Sequence, residues 1–168
     1  MSNYRRARVP GGSYFFTLVS HDRRPVLTGE NVRVALREAV QAVRDEHPFF
    51  VEAWVLLPDH LHCIWRLPED DSDYALRWAQ IKRFTRHRLG MPSEGKLWQP
   101  RYWEHCIRDE NDFARHVDYI HWNPVKHGLV NCAADWPYST FHRFVAAGGY
   151  PRDWGIADER MDDRGFGE

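Results

Sequence analysis

The chain has 168 residues, a length that suits one domain. Hydrophobic residues make up 43% and charged residues 28%, a balance that excludes wholesale disorder, and no apolar run approaches the ~18 residues of a membrane span. The net charge of −1 conceals an uneven distribution, so a polyanion-binding surface stays open. Residues 1–24 hold five arginines against Asp22, and residues 77–108 hold eight cations against Glu94 and Glu104. The end from Pro151 holds three arginines against six acids. Three cysteines (Cys63, Cys106 and Cys132) include no CxxC pair, which argues for a reducing cytoplasm over a disulfide framework or a thiolate zinc site. The N-terminus has no apolar leader segment, so no secretory signal is expected.

The first element expected is a strand over Ser13–Ser20, rich in aromatic and β-branched residues. Residues 30–46 place Val32, Leu36, Val40 and Val43 at helical spacing, an amphipathic helix that His47-Pro48 ends. Two strands follow, Phe49–Leu57 and His60–Leu67, joined across Pro58-Asp59. A helix over Tyr74–Leu89 is expected, capped by Asp71 or Ser72. A fourth strand is read near Tyr102–Ile107, and a last helix, capped by Asp109, Glu110 or Asn111, runs towards Trp122. The order β-α-β-β-α-β-α predicts an α+β, ferredoxin-like domain, an antiparallel sheet with its helices on one face. Residues 1–138 are read as this domain, and 139–168 as an acidic, loop-rich extension of it.

Two short stretches carry candidate chemistry. In Asp59-His60-Leu61-His62 the two histidines alternate along a strand and share a face, the spacing at which two imidazoles hold one divalent ion. A structural pair of histidines fits the same residues. In Tyr119-Ile120-His121-Trp122-Asn123-Pro124, Tyr119 and Asn123 lie one helical turn apart. A phenol can attack phosphorus, and an amide oxygen can complete a hard-cation site. Because Asn123 precedes proline, it is expected in the last turn or just past it. His121 faces away from Tyr119 and reads as structural. No P-loop, dinucleotide fingerprint or HExxH is present.

Four blocks, Gly12–Thr17, Leu57–His62, Trp98–Trp103 and Asp118–Val130, together resemble the REP-associated tyrosine transposases of the single-tyrosine HUH superfamily. The resemblance runs from about Tyr4 to Tyr138. It implies a nuclease and strand transferase for single-stranded DNA carrying palindromic hairpins. By this resemblance His60, His62 and Asn123 hold Mg²⁺ or Mn²⁺. Tyr119 takes the 5′ phosphate as a covalent phosphotyrosine and releases a 3′ hydroxyl. A monomer is expected, with a homodimer as the alternative, located in the cytoplasm at the nucleoid.

Candidate DNA contacts are Arg5, Arg6, Lys82, Arg83, Arg86, Arg101 and Lys126. Trp78, Phe84, Trp98, Tyr102 and Trp103 interleave with cations, as in surfaces that stack unpaired bases. The acidic end either folds over the cleft and competes with DNA or serves as a solubilising tail. Two other classes fit the residues less well: a hairpin-binding module that does not cut, and a hydrolase of small phosphoesters.

Overall fold

The structure, a computed structural model, describes residues 6–157 and 164–166. Arg5, one of the expected DNA contacts, lies outside them. The elements are β1 (Ser13–Val19), α1 (Glu30–Glu46), β2 (Phe50–Leu56), β3 (His60–Arg66), α2 (Tyr74–Arg88), β4 (Trp103–Cys106), α3 (Glu110–Lys126) and α4 (Phe141–Ala146). The sheet order is β2-β3-β1-β4 with every neighbouring pair antiparallel. This is the expected α+β, ferredoxin-like arrangement. No helix among the described residues is long and apolar enough to cross a membrane.

β1 is buried on both sides, which is why its sequence is a continuous run of apolar and aromatic residues. Tyr14, Phe16 and Leu18 face α1 and α2, where Leu36, Ala39, Val43, Trp78 and Ile81 complete the core. Trp65 of β3 stacks on Trp78 of α2 at 4.0 Å and 20°. Phe15 faces the other way, with Ala53, Val55 and Ile64, onto Val117, Tyr119 and Ile120 of α3. The helices therefore do not share one face, as the sequence had suggested: α1 and α2 cover one side and α3 the other. A strand with two apolar faces needs two covers, and alternation alone does not say which helix supplies which.

The caps show local competition. Asp73, not Asp71 or Ser72, caps α2 by accepting from the Leu76 amide. Asp71 is drawn to the buried Arg77, 2.7 Å away. Arg77 also donates to the carbonyls of His47, Asp73 and Pro48, and so ties the end of α1 to α2. Removing it would strand those acceptors, at a cost of about 3 kcal/mol. Asp109 caps α3 through the Asp112 amide. That helix runs through Pro124 to Lys126. It ends where Gly128, at φ +67°, lets its own amide reach Val125 and the Leu129 amide reach Pro124, a Schellman closure. Asn123 thus sits in the last turn, as expected.

The segment after Tyr138 docks on β2 and α3. The Thr140 hydroxyl donates to the Trp54 carbonyl at 3.2 Å and accepts from the Trp54 amide at 2.9 Å. His121 Nε2–H then donates to the same oxygen at 2.8 Å. His121 Nδ1 is buried with no hydrogen-bond partner among the described residues. A proton there would find no acceptor, and burial holds the His121 pKa down at about 3, helped by Arg143 and His142. The unfolded chain, with histidine near ~6.5, binds that proton more readily. Stability is therefore expected to fall as pH drops from about 6.5 towards 3. His121→Gln, which keeps the donor to Thr140, should flatten this part of a plot of urea midpoint against pH. An unaltered slope would assign the pH dependence to other groups.

Candidate active site

β3 begins directly after the Pro58-Asp59 turn, which is held from outside. The Ser20 amide bonds to the Asp59 carbonyl and the Leu27 amide to the Pro58 carbonyl, both at 2.8 Å. The first residue of β3 is His60. Pairing with β1 then sets His62 directly opposite Thr17, so the two side chains meet on the α3 side of the sheet.

Each imidazole is fixed through Nδ1. His60 Nδ1 donates to Asp59 Oδ1 at 2.7 Å, and His62 Nδ1 is hydrogen-bonded to Thr17 Oγ1 at 2.8 Å. Asp59 also receives Arg23 at 3.2 Å. Burial opposes the charge on Asp59, but the bonds from His60 and Arg23 outweigh it and hold the carboxyl below its usual range. Arg23 and Asp22 both take left-handed backbone, with φ of 50° and 55°, a conformation that costs about 1–2 kcal/mol per residue. The Asp59 carboxylate, which only accepts, sets the His60 tautomer and leaves Nε2 to carry the lone pair, while the Thr17 hydroxyl orients the His62 ring.

The rings form one contiguous group. His60 and His62 are 4.9 Å apart at 80°, and Tyr119 lies 5.3 Å from His62. Phe15 stacks on His62 at 5.4 Å and meets Tyr119 edge-on at 6.2 Å. Tyr119 is 1% exposed and Asn123, one turn on, is 0% exposed. Lys126 Nζ donates to the Tyr119 hydroxyl at 3.1 Å. Two imidazoles and an amide oxygen are a donor set that fits a divalent ion with open positions. An ammonium beside a phenol favours the phenolate, the stronger nucleophile.

Phe166, near the C-terminus, stacks on Tyr119 at 3.9 Å and 4°. It also meets Phe15 and His116. Phe166, in the described part of the acidic end, thus covers the ring of Tyr119.

The expected DNA contacts do not gather here. Arg6, Arg83 and Arg101 are exposed. Arg6 sits over the ring of Tyr102 at 4.3 Å and bonds to its hydroxyl. Lys82 Nζ donates to the Gln99 carbonyl at 2.8 Å and lies 5.4 Å from the same ring. Burial, with Arg6 nearby, lowers the Lys82 pKa to about 8. Arg86 bonds to the carbonyls of Pro92 and Ser93. Arg6 and Lys82 thus meet at Tyr102, which packs with Phe16 and Trp78 on the side of the sheet away from Tyr119. Among the six described candidates, Lys126 is the one bonded to the tyrosine. The interleaved aromatics are mostly not a stacking surface: Trp78 and Trp98 are core, while Trp103 is 40% exposed.

Sequence reasoning missed Thr17, the anchoring role of Asp59, the place of Lys126 and the cover by Phe166. An aspartate directly before the first histidine was the one available signal. It also missed a groove of about 440 Å³ on the α1 side, lined by Arg33, Arg37, Arg44 and Tyr138.

Residues 9–123 match the family described as "Transposase IS200 like". An Escherichia coli K12 protein named "REP-associated tyrosine transposase" is 50% identical over 154 residues, covering 92% of this chain and 91% of its own. A Haemophilus influenzae Rd relative is 45% identical over 169 residues, covering 92% and 94%. A solved structure, "Structure of the REP associates tyrosine transposase bound to a REP hairpin", superposes with a TM-score of 0.90 at 47% identity, over 100% of this chain and 98% of that one. The chain belongs to the IS200-like transposase family and, within it, is similar to the REP-associated tyrosine transposases.

Proposed function

We propose that this transposase cuts and rejoins single-stranded DNA beside hairpins of the repetitive extragenic palindrome type, with Tyr119 as nucleophile. The observation that carries the reading is the packing of Tyr119 against His62, within one chain, with both imidazoles anchored by Nδ1. The name of the E. coli relative and the hairpin in the similar solved structure support the substrate class.

In this reading Tyr119 Oη forms a bond to the scissile phosphorus while the bond from phosphorus to the 3′ oxygen breaks, and the proton lost by the phenol is balanced by the one the 3′ oxygen takes up through solvent. A 5′-phosphotyrosine and a free 3′ hydroxyl result, and the energy of the phosphodiester is kept for rejoining. Lys126 steadies the phenolate. His60, His62 and Asn123 would hold Mg²⁺ or Mn²⁺, and that ion supplies Lewis-acid polarisation of a phosphate oxygen. Asp59 and Thr17 keep the rings oriented. The exposed Arg6, Arg83 and Arg101 are assigned to the DNA backbone.

In this reading His60, His62, Tyr119 and Asn123 act from one chain, with attack within the subunit and a working monomer. Residues 139–168 are taken as an extension of the single domain, and the nucleoid in the cytoplasm as the place of action.

The test is an adduct assay with a palindromic hairpin strand labelled at either end, in Mn²⁺ or EDTA. Wild-type protein should give a denaturation-resistant, metal-dependent band that retains the 3′ label. Tyr119→Phe and His60→Ala should give none, while still binding the hairpin. Tight binding without any adduct on several hairpins would favour the non-cutting module instead.

Phe166 must leave Tyr119 before a phosphate can approach. Phe166→Ala should raise the rate of adduct formation by about 2- to 10-fold, the factor given by ~0.5–1.5 kcal/mol of ring stacking. Hairpin affinity should stay the same. A slower rate would make Phe166 part of the working site.

A further inference from the structure

On the same side of the sheet, one turn before Tyr119, lies a second group of ligating side chains that the strand-transfer reading does not use. His105 stands on β4 opposite Phe15 and so faces α3. Asp112 and His116 stand one turn apart in the first half of α3. The donor atoms of the three lie within 4.8 Å of one another, against roughly 3–4 Å between neighbouring ligands around an ion with ~2.0–2.2 Å bonds. We propose that His105, Asp112 and His116 form a second metal site, of the type that takes Zn²⁺, separate from His60, His62 and Asn123.

The arrangement of His116 is the main support. Its Nδ1–H donates to the Asp112 carbonyl at 2.7 Å. That bond places the proton on Nδ1 and leaves a lone pair on Nε2. His116 is 3% exposed, and Nε2 has no hydrogen-bond partner among the described residues. A buried imidazole held by a carbonyl at one nitrogen and bare at the other is the form in which histidine binds metals. Burial also lowers the pKa of this ring.

Asp112 supplies the charge. Burial disfavours its ionised form, but hydrogen bonds from Arg108 and His105 overcome this and hold the carboxyl far below its usual range. Its Oδ2 receives His105 at 2.7 Å and the Arg108 amide at 3.0 Å. Oδ1 is less engaged, with Arg108 at 3.4 Å. Arg108 is 69% exposed in its side chain, so it can swing out as a cation enters. His105, 25% exposed, gives the route from solvent.

Two imidazoles and one carboxylate, with a water to complete four positions, suit zinc and its late first-row neighbours. Magnesium and calcium prefer oxygen-rich cages. An ion there would clamp β4 to α3 just upstream of the nucleophile. Zinc binding therefore stiffens the helix that carries Tyr119.

The test is isothermal titration with Zn²⁺ alone, starting from a His60→Ala/His62→Ala background that removes the first site. This background should bind one equivalent, with a rise in melting temperature. Adding His116→Ala should weaken that binding on the order of 100-fold or more. His105→Gln, at a partly exposed position and keeping a donor to Asp112, should do the same with less risk to folding. In the wild-type chain, His105→Gln alone should remove one equivalent, a comparison that holds even if the background misfolds. No zinc bound by a folded background, or equal binding with and without His116, would overturn the proposal. In that event the three residues form a plain hydrogen-bonded clamp.

Discussion

The antiparallel pairing of β1 with β3 runs from Ser13 opposite Arg66 to Val19 opposite His60, and the site hangs on that register. Side chains alternate along each strand, so the register that buries Leu61, Cys63 and Trp65 under α1 and α2 also turns His60, His62 and Ile64 towards α3. A slip by one residue would send both histidines into the tryptophan core. It would also separate His62 from Thr17, its hydrogen-bond partner across the strands. The pressure that keeps the large aromatic core dry is thus the same pressure that aims the imidazoles. The geometry of the candidate site is a by-product of core packing, set by a period of two.

Burying polar groups on the second face carries a cost that is met locally. His60 has Asp59, Asp59 has Arg23, and Tyr119 has Lys126. His121 and Thr140 tie the segment after Tyr138 to β2 with hydrogen bonds to both polar groups of Trp54. His121, Thr140 and Trp54 come from α3, the C-terminal segment and β2, so the face is stable only when these elements and β3 are all in place. Phe166 completes the same face by stacking on the tyrosine. The site is therefore the part of the fold that is assembled from the most distant pieces of sequence.

That explains what could and could not be read from residues alone. The span of α1 over 30–46 and the start of α2 at Tyr74 were legible because apolar spacing and flanking breakers are local. So was the fold class, since the element order leaves few topologies. The face chosen by α3 was not, because β1 is apolar on both sides. The cap of α2 was expected at Asp71 or Ser72 and lies at Asp73, since the guanidinium of Arg77, six residues on, claims Asp71. The cation-and-ring stretch over 77–108 looked like a base-stacking surface, yet Trp78 is 0% exposed and stacks on Trp65. Tryptophan carries the same letter in a core as on a platform. The pair His60 and His62 stood out by spacing, whereas Thr17, Lys126 and Phe166 are contacts made only by folding.

The most direct measurement is to find where the nucleotide is attached. The protein–DNA adduct would be digested with nuclease and protease and its peptides sequenced by tandem mass spectrometry. The account predicts one phosphonucleotide, carried on the peptide that contains Tyr119 and linked to its phenol oxygen. A nucleotide on Tyr102 or any other residue would contradict it, and with it the reading of the Tyr119–His62 packing as a nucleophile beside its metal site.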